Sequence, residues 1–148
     1  MSIETNLNRF LEAQNQLYLR ALEEIQKGKK LTNWMWFIFP QLKGLDQSEM
    51  SRLYAIQNLQ EAEAYIAHPI LGKHLVEITN ALLEHQEISI MDIFGTPDDN
   101  KFHSSMTLFA NLHDSNPVFD YVLAKYFDSI DDKATLELML RNNYRETQ

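Results

Sequence analysis

The polar residues best placed to do chemistry lie on one face of a predicted helix that begins at Pro97. At about 100° per residue, the apolar arc of this helix is formed by Phe102, Met106, Phe109 and Leu112. Asp98, Lys101 and Ser105 fall on or beside that arc rather than opposite it. Charged groups on a core-facing stripe must be paired or must line a cavity, so the pattern indicates either a buried pair or a polar pocket.

These three residues have more than one interpretation. In the first, a pocket places Lys101 against an anion and lets Ser105 donate a hydrogen bond. In the second, Asp98 serves the helix start and pairs with Lys101, while Ser105 is a small residue that permits close packing. A third interpretation makes Lys101 the base that activates Ser105, which requires a lysine pKa depressed by burial. The sequence indicates neither that burial nor an oxyanion hole.

The segment Trp34–Phe39 is a run of six large apolar residues that includes both tryptophans of the chain. No face of the segment is polar, so neither helical nor strand periodicity fits, and Pro40 would end any helix or strand that contains it. Fully burying a side chain of this size is worth about 1.5–3 kcal/mol. We therefore expect the segment to pass through the core.

The charge around this segment differs from that of the whole chain. The net charge is −8, yet no acidic residue falls between Glu24 and Asp46. The lysines in that window are Lys27, Lys29, Lys30 and Lys43. In one interpretation the first three only complement the C-terminal end of the first helix. In the other, the window favours an anionic ligand near the aromatic side chains.

Composition excludes several classes of protein. A chain of 148 residues with 45% hydrophobic residues predicts one globular domain. The absence of cysteine excludes disulfides, thiol catalysis and thiolate metal sites. The acidic charge disfavours nucleic-acid binding, and no apolar run is long enough for a membrane span. With no signal-peptide pattern at the N-terminus, we expect a soluble, cytoplasmic protein.

Metal and cofactor motifs are also missing from the sequence. The five histidines show no ligand spacing such as His-Glu-x-x-His. The four glycines form no phosphate-binding loop, and each is interpreted as a residue that ends or separates helices. We therefore expect no metal and no cofactor.

Apolar residues recur at three- and four-residue spacing along most of the chain, which predicts an all-α domain of about eight helices. Their starts carry capping residues or proline. The predicted helices run from Thr5 or Asn6 to Gly28, Ser48 to Tyr54, Asn58 to Ala67, Pro69 to about Leu82, Ser89 to Gly95, Pro97 to about Leu112, Asn116 to about Phe127, and Asp131 to Asn142. Residues 1–148 form one domain in this prediction, with a tail that frays from about Asn143.

Several longer motifs of the chain are distinctive. They are Phe10–Gln14, Trp34–Gln41 with Gly44-Leu45, Glu61-Ala62 with Ala64-Tyr65, His68-Pro69 with Leu71-Gly72, Ile93–Gly95, and Lys101 with Ser104–Phe109. In these motifs the chain resembles the uncharacterised domain-of-unknown-function 1810 family over nearly its full length. The resemblance implies a compact helical fold and brings no established activity, cofactor or catalytic residue.

The chain departs from that family's pattern at two positions. Asn33 stands where a histidine commonly precedes the first tryptophan, and Asp46 stands where a glycine commonly follows Gly44-Leu45. If that histidine is catalytic in relatives, this chain lacks it. Relatives sometimes carry the label calpastatin, but such inhibitory segments are disordered before binding, whereas this chain has the composition of a folded core.

These observations lead to a functional hypothesis. We expect a pocket for a small anionic, nucleotide-like ligand beside the aromatic stretch. Its lining would consist of Trp34, Trp36, Gln41, Asp98, Lys101, Ser104 and Ser105. The alternative is a protein-interaction module without a small-molecule ligand, for which an exposed apolar patch would be the sign.

Overall fold

The computed structural model describes the backbone of residues 3–147 and the side chains of residues 6–142. Within this part, the chain forms nine α-helices and no strand, apart from an isolated bridge between Leu42 and Ile56. The helices are α1 Ile3–Lys27, α2 Met35–Ile38, α3 Glu49–Tyr54, α4 Leu59–Ala67, α5 Leu71–Leu83, α6 Ile90–Phe94, α7 Asp98–Ala110, α8 Val118–Phe127 and α9 Lys133–Thr147. The predicted all-α, single-domain fold is confirmed.

Several predicted helix starts form as the capping rules require. The side-chain oxygens of Ser48, Asn58 and Ser89 each accept a hydrogen bond from the backbone N–H three residues later, at 3.2, 2.8 and 3.0 Å. Such caps satisfy donors that have no partner inside the helix. They fix the entry into α3, α4 and α6.

Other boundaries differ from the prediction. The helix α1 already includes Ile3, so Thr5 and Asn6 lie inside it rather than at its cap. The helix α2 is one additional turn within the aromatic stretch, which periodicity could not reveal because the stretch has no polar face. The helix α9 runs from Lys133 to Thr147, whereas the prediction ended it at about Asn142. The side chains of the tail that was expected to fray from about Asn143 lie outside the described residues.

The aromatic stretch lies in the core, as predicted. Its side chains are at most 4% exposed except for that of Trp36, which is half-buried. Phe39 makes edge-to-face contacts with Phe94 and Phe102, with ring centroids 5.8 and 4.9 Å apart. Trp36 is therefore the member of the stretch whose side chain is most exposed.

Gly72 corrects the interpretation of the glycines. It lies within α5, where an added Cβ would come within 2.0 Å of the backbone oxygen of Ile66 in α4. No side chain fits at that distance, so the absence of a side chain lets α4 and α5 approach each other. Gly28, by contrast, follows α1 with a φ of +87° and ends it as predicted.

A buried ion pair fixes the segment that follows α3. The Arg9 guanidinium lies 2.6 Å from the carboxylate of Glu61, which is only 1% exposed. The same guanidinium donates to the backbone oxygens of Leu53 and Ala55 at 2.9 and 2.8 Å. These bonds tie the end of α3 to α1 and α4, and that end of α3 forms one wall of the pocket described next.

Candidate functional site

A small pocket lies beside Trp36, between the aromatic stretch, α3 and α7. The groups with polar atoms at its edge are Trp36, Gln41, Asp46, Ser51, Tyr54 and Lys101. The enclosed part has a volume of ≈ 10 Å³, within ≈ 320 Å³ of empty space that opens to solvent. Because a cavity of about 10–15 Å³ holds one water molecule, only a group of that size fits inside without movement of the walls.

Lys101 reaches this pocket from the first turn of α7. Its Nζ lies 5.3 Å from the ring centroid of Trp36, 3.7 Å from a carboxylate oxygen of Asp46 and 3.9 Å from one of Asp98. Both oxygen distances exceed the usual 2.7–3.2 Å of an N–H···O hydrogen bond. The lysine is therefore held near two carboxylates without a short contact to either.

Asp98 is bound mainly to a different lysine. The Nζ of Lys30 lies 2.9 Å from a carboxylate oxygen of Asp98, and only 9% of the Lys30 side chain is exposed. The expected pairing of Asp98 with Lys101 is present at the longer distance of 3.9 Å. The shorter Lys30 contact makes Asp98 a link between the α1–α2 turn and α7.

Asp46 closes the other side of the pocket. Hydrogen bonds from the Ser51 hydroxyl and from the backbone N–H of Ser48, at 2.7 and 3.0 Å, hold the pKa of this carboxyl below its usual value. The nearby Lys101 ammonium lowers that pKa further. Asp46 is thus an ionised partner of Lys101 at the mouth of the pocket.

The indole N–H of Trp36 has no hydrogen-bond acceptor among the described residues, although the atom is buried. A buried donor left without a partner costs about 1–3 kcal/mol. The ring itself lines the pocket. An acceptor placed in the pocket, from a water molecule or a ligand, would relieve this cost.

The structure separates the other predicted site residues from this pocket. Trp34 is fully buried, and its indole N–H donates to Glu24 at 2.9 Å, so it belongs to the core rather than to a pocket wall. The Ser104 hydroxyl contacts the Asn100 carbonyl and Asp132 at 3.1 and 3.2 Å. Ser105 is 0% exposed, and its hydroxyl has no partner among the described residues. The pocket therefore retains Trp36, Gln41 and Lys101 from the predicted set, with Asp98 beside Lys101.

The lysines of the cationic window do not line the pocket. Lys27 pairs with Glu23 one turn earlier on α1, at 2.8 Å, and both side chains are exposed. Lys29 and Lys43 are exposed, while Lys30 binds Asp98. The lysines of the window therefore lie outside this pocket, and Lys101 is the cation that lines it.

Glu24 is a buried acid that the sequence did not single out. Its carboxylate accepts hydrogen bonds from the backbone N–H groups of Leu31 and Thr32, the Thr32 hydroxyl and the Trp34 indole, at 2.7–3.0 Å. Burial raises the pKa of Glu24, but these donors outweigh it and lower the pKa to about 2. The carboxylate thereby fixes the turn that leads into the aromatic stretch.

Metal-binding clusters and membrane-spanning helices are both absent from the described part of the chain. The side chains of residues 6–142 include no group of three or more His, Asp or Glu able to hold a metal ion. No helix within residues 3–147 combines the length and the apolar character needed to cross a membrane.

The fold and the pocket together define a small all-helical protein with a polar-edged pocket beside its central aromatic segment. The chain belongs to the family described as protein of unknown function (DUF1810), with a match over residues 4–139. It is similar to the conserved hypothetical protein Rv1873 from Mycobacterium tuberculosis, whose crystal structure is known at 1.38 Å. The two chains are 45% identical, with a TM-score of 0.89 over 91% of this chain and 96% of that one. No protein with a curated description matches the chain. The family predicted from the motifs is confirmed.

Proposed function

We propose that this protein binds a small anionic ligand whose charged group enters the pocket beside Trp36 and contacts Lys101. The observation that carries the proposal is Trp36, whose ring lines the pocket and whose buried indole N–H lacks an acceptor among the described residues. An anionic oxygen would accept from this donor and would lie beside the Lys101 ammonium. The proposal places the protein in the cytoplasm, which its cysteine-free composition favours.

The state of Lys101 favours an anion over a neutral ligand. A lysine ammonium has three N–H donors. Because Lys101 lies 3.7 Å from Asp46 and 3.9 Å from Asp98, neither carboxylate gives its donors a short hydrogen bond. Hydrogen bonds that involve a charged partner are about twice as strong as neutral ones. An anionic oxygen would gain such a bond, and Asp98 would keep its 2.9 Å contact with Lys30.

The size of the pocket limits what can enter it. An enclosed volume of ≈ 10 Å³ accepts a single oxygen of a phosphate or carboxylate group, and the remainder of the ligand would occupy the open part. For the nucleotide-like ligand suggested by the sequence, one phosphate oxygen would be inside, and the rest of the phosphate, the sugar and the base would lie in the open part. We therefore expect the site to be specific for the anionic group of the ligand rather than for the rest of the molecule.

A protein-interaction module is the second candidate. The observation that favours it is a set of exposed large apolar side chains, among them Leu19, Leu31, Tyr121, Ile130 and Leu140, each more than 60% exposed. They belong to different parts of the chain, on α1, α8, α9 and two connecting segments. Single exposed apolar residues are common on soluble proteins, so this candidate ranks second.

A thermal-shift screen with phosphorylated and carboxylated metabolites, each beside an uncharged analogue, tests the proposal. We expect an anionic compound to raise the melting temperature of the wild type and of Lys29→Met, an exposed control, but not that of Lys101→Met. A ligand at about 100 times its Kd adds about 2.7 kcal/mol to stability. Equal shifts for Lys101→Met, or for the uncharged analogues, would rule out the Lys101 site.

A further inference from the structure

A second concave surface lies between α1 and the start of α5. It has a volume of ≈ 530 Å³ and adjoins a space of ≈ 360 Å³, and both are lined by Gln14, Ile70 and His74. These volumes fall in the range of small-molecule sites, about 300–1,000 Å³. We call this surface the α1–α5 groove. It shares no lining residue with the pocket beside Trp36.

The hydrogen bonds of Gln14 determine which nitrogen of His74 carries a proton. Gln14 is 2% exposed, and its Nε2 donates to the Phe37 carbonyl oxygen at 2.7 Å and to the Tyr65 hydroxyl at 2.9 Å. Reversing the amide would place its oxygen against the Phe37 carbonyl oxygen, and neither atom can donate. The Gln14 oxygen therefore faces Nδ1 of His74 at 2.8 Å, and Nδ1 must carry the proton.

The other nitrogen of His74 is consequently an acceptor in the neutral ring. Nε2 has no hydrogen-bond partner among the described residues. The described side-chain atoms that are both buried and without a partner are Trp36 Nε1, Thr79 Oγ1 and Ser105 Oγ, so His74 Nε2 is not buried. Nε2 is thus open to the groove that His74 lines. The buried hydrogen bonds of Gln14 thus hold the His74 ring in the tautomer in which Nε2 is the acceptor.

The ring is also fixed from one face. The imidazole of His74 stacks on Tyr18, with centroids 3.6 Å apart and planes 7° from parallel. Tyr18 is 4% exposed, and its hydroxyl donates to the carboxylate of Glu77. The same tyrosine therefore orients two acceptors of the groove, the His74 ring and the Glu77 carboxylate.

The remaining groove residues define a complementary ligand. Leu19 and Ile70 are apolar side chains on its walls, 78% and 49% exposed. The charged side chains are Glu12, Glu77 and Lys73, all exposed. From these contacts we propose that the α1–α5 groove binds a protonated amine on an apolar body, with the amine between His74 Nε2 and Glu77 and the body against Leu19 and Ile70. Lys73 also lines the groove and opposes this charge, but its side chain is exposed, so salt weakens the repulsion.

Three compounds with one apolar body test the proposal by NMR titration: benzylamine, benzyl alcohol and benzoate. We expect benzylamine to cause saturable shifts of the Leu19 and Ile70 methyl resonances, benzyl alcohol to bind more weakly, and benzoate to have no effect. Glu77→Gln should weaken benzylamine binding about tenfold, because it removes a charge-assisted hydrogen bond. The same variant should leave benzyl alcohol binding unchanged.

Two further variants separate the proposed site from a purely structural tie. His74→Asn removes the groove acceptor and should abolish benzylamine binding, whereas His113→Asn changes a histidine whose side chain is 89% exposed and should not. Because Glu77 is exposed, Glu77→Gln keeps the test valid even if His74→Asn unfolds. Equal responses to benzylamine and benzoate, or unchanged amine affinity in Glu77→Gln, would overturn the proposal.

The amine could come from a free metabolite or from a lysine side chain of another protein. A blocked lysine, N-acetyl-lysine methylamide, distinguishes these sources in the same titration. Binding as tight as that of benzylamine would support a lysine side chain, and preference for benzylamine would support a free amine. Because the two sites share no residues, failure here leaves the anion site to be judged by its own experiment.

Discussion

At the scale of single residues, Lys101 and Lys30 differ in how closely they pair with carboxylates. Lys30 forms the short 2.9 Å pair with Asp98 and is 9% exposed, whereas Lys101 is 17% exposed and 3.7–3.9 Å from its two carboxylates. Removing one partner of a buried pair leaves a charge without compensation. Removing Lys101, by contrast, leaves Asp98 with its Lys30 contact and Asp46 with its hydrogen bonds from Ser48 and Ser51, so stability should change little.

We therefore expect Lys101→Met to change the free energy of unfolding by less than about 1 kcal/mol. Lys30→Met should destabilise more, because Asp98 would then keep only the 3.9 Å contact with Lys101. Urea titrations of the two variants, read by circular dichroism, make the comparison. A larger loss in Lys101→Met than in Lys30→Met would assign Lys101 to the scaffold.

Ser105 gives a second prediction at this scale. Its hydroxyl is fully buried and has no partner among the described residues. An unsatisfied buried hydroxyl costs about 1–3 kcal/mol, so Ser105→Ala should leave stability unchanged or raise it by about 1 kcal/mol. A urea titration that shows a loss of more than about 1 kcal/mol would mean that the hydroxyl makes a bond in the folded protein.

Glu24 gives a prediction about pH. Its pKa in the folded protein is about 2, against a usual value of 4.5. A lowered carboxyl pKa contributes stability that is complete above the unfolded value and is lost as the pH falls through the folded one. Glu24 therefore loses its contribution to stability as the pH falls from about 4.5 to about 2.

Glu24→Gln should lower the free energy of unfolding at neutral pH by about 1.5–3 kcal/mol, the range for hydrogen bonds to a charged group. The difference from the wild type should shrink as the pH approaches the folded pKa of about 2. Urea titrations at neutral pH and near the acid end of that pH range measure both quantities. A difference that is the same at both ends would show that the ionised carboxylate is not the source.

At the scale of helices, the contact between α4 and α5 depends on Gly72. Because an added Cβ would lie 2.0 Å from the Ile66 backbone oxygen, Gly72→Ala must push the two helices apart. Overpacking usually costs about 1–3 kcal/mol of stability. Because the neighbouring atom belongs to the backbone and cannot move aside, we expect Gly72→Ala to cost at least the upper value of that range. The exposed neighbour Lys73→Ala is the control and should stay within about 0.5 kcal/mol. Equal melting temperatures for the two variants would contradict the assigned contact.

The helices themselves were largely predictable because their signals are local. Caps such as Asn58, the prolines and the three- and four-residue spacing act within one or two turns, and they predicted eight of the helices. The turn of α2 was missed because an apolar run has the same pattern in a buried helix and in a buried extended segment. Gly72 was misjudged because its role depends on Ile66 in another helix.

The candidate site was predictable only in part. Lys101 and Trp36 could be identified as a cation on an apolar face and as a member of an aromatic run. Two pairings could not be predicted: Lys30 binds Asp98, 68 positions later in the chain, and Gln14 orients His74, 60 positions later. Such pairings are set by how the helices pack, and no local pattern records them.

At the scale of the whole molecule, the acidic chain combines a net charge of −8 with a pocket whose lining cation is Lys101. Asp46 and Asp98 offset Lys101 and Lys30, so the four charges near the pocket sum to zero. Long-range attraction of anions is therefore weak, and binding must come from short contacts at Trp36 and Lys101. The proposed site should therefore select ligands that fit the pocket rather than anions in general.

The chain's two tryptophans allow the central claim to be tested directly. In ¹H–¹⁵N NMR spectra, Trp34 reports an indole N–H bonded to Glu24, and Trp36 reports one that lacks an acceptor among the described residues. Inorganic phosphate, titrated at constant ionic strength against chloride, should shift the Trp36 resonance to saturation and leave that of Trp34 in place. The shift should disappear in Lys101→Met. A Trp36 resonance that does not move, or that moves equally in Lys101→Met, would contradict an anion site beside Trp36.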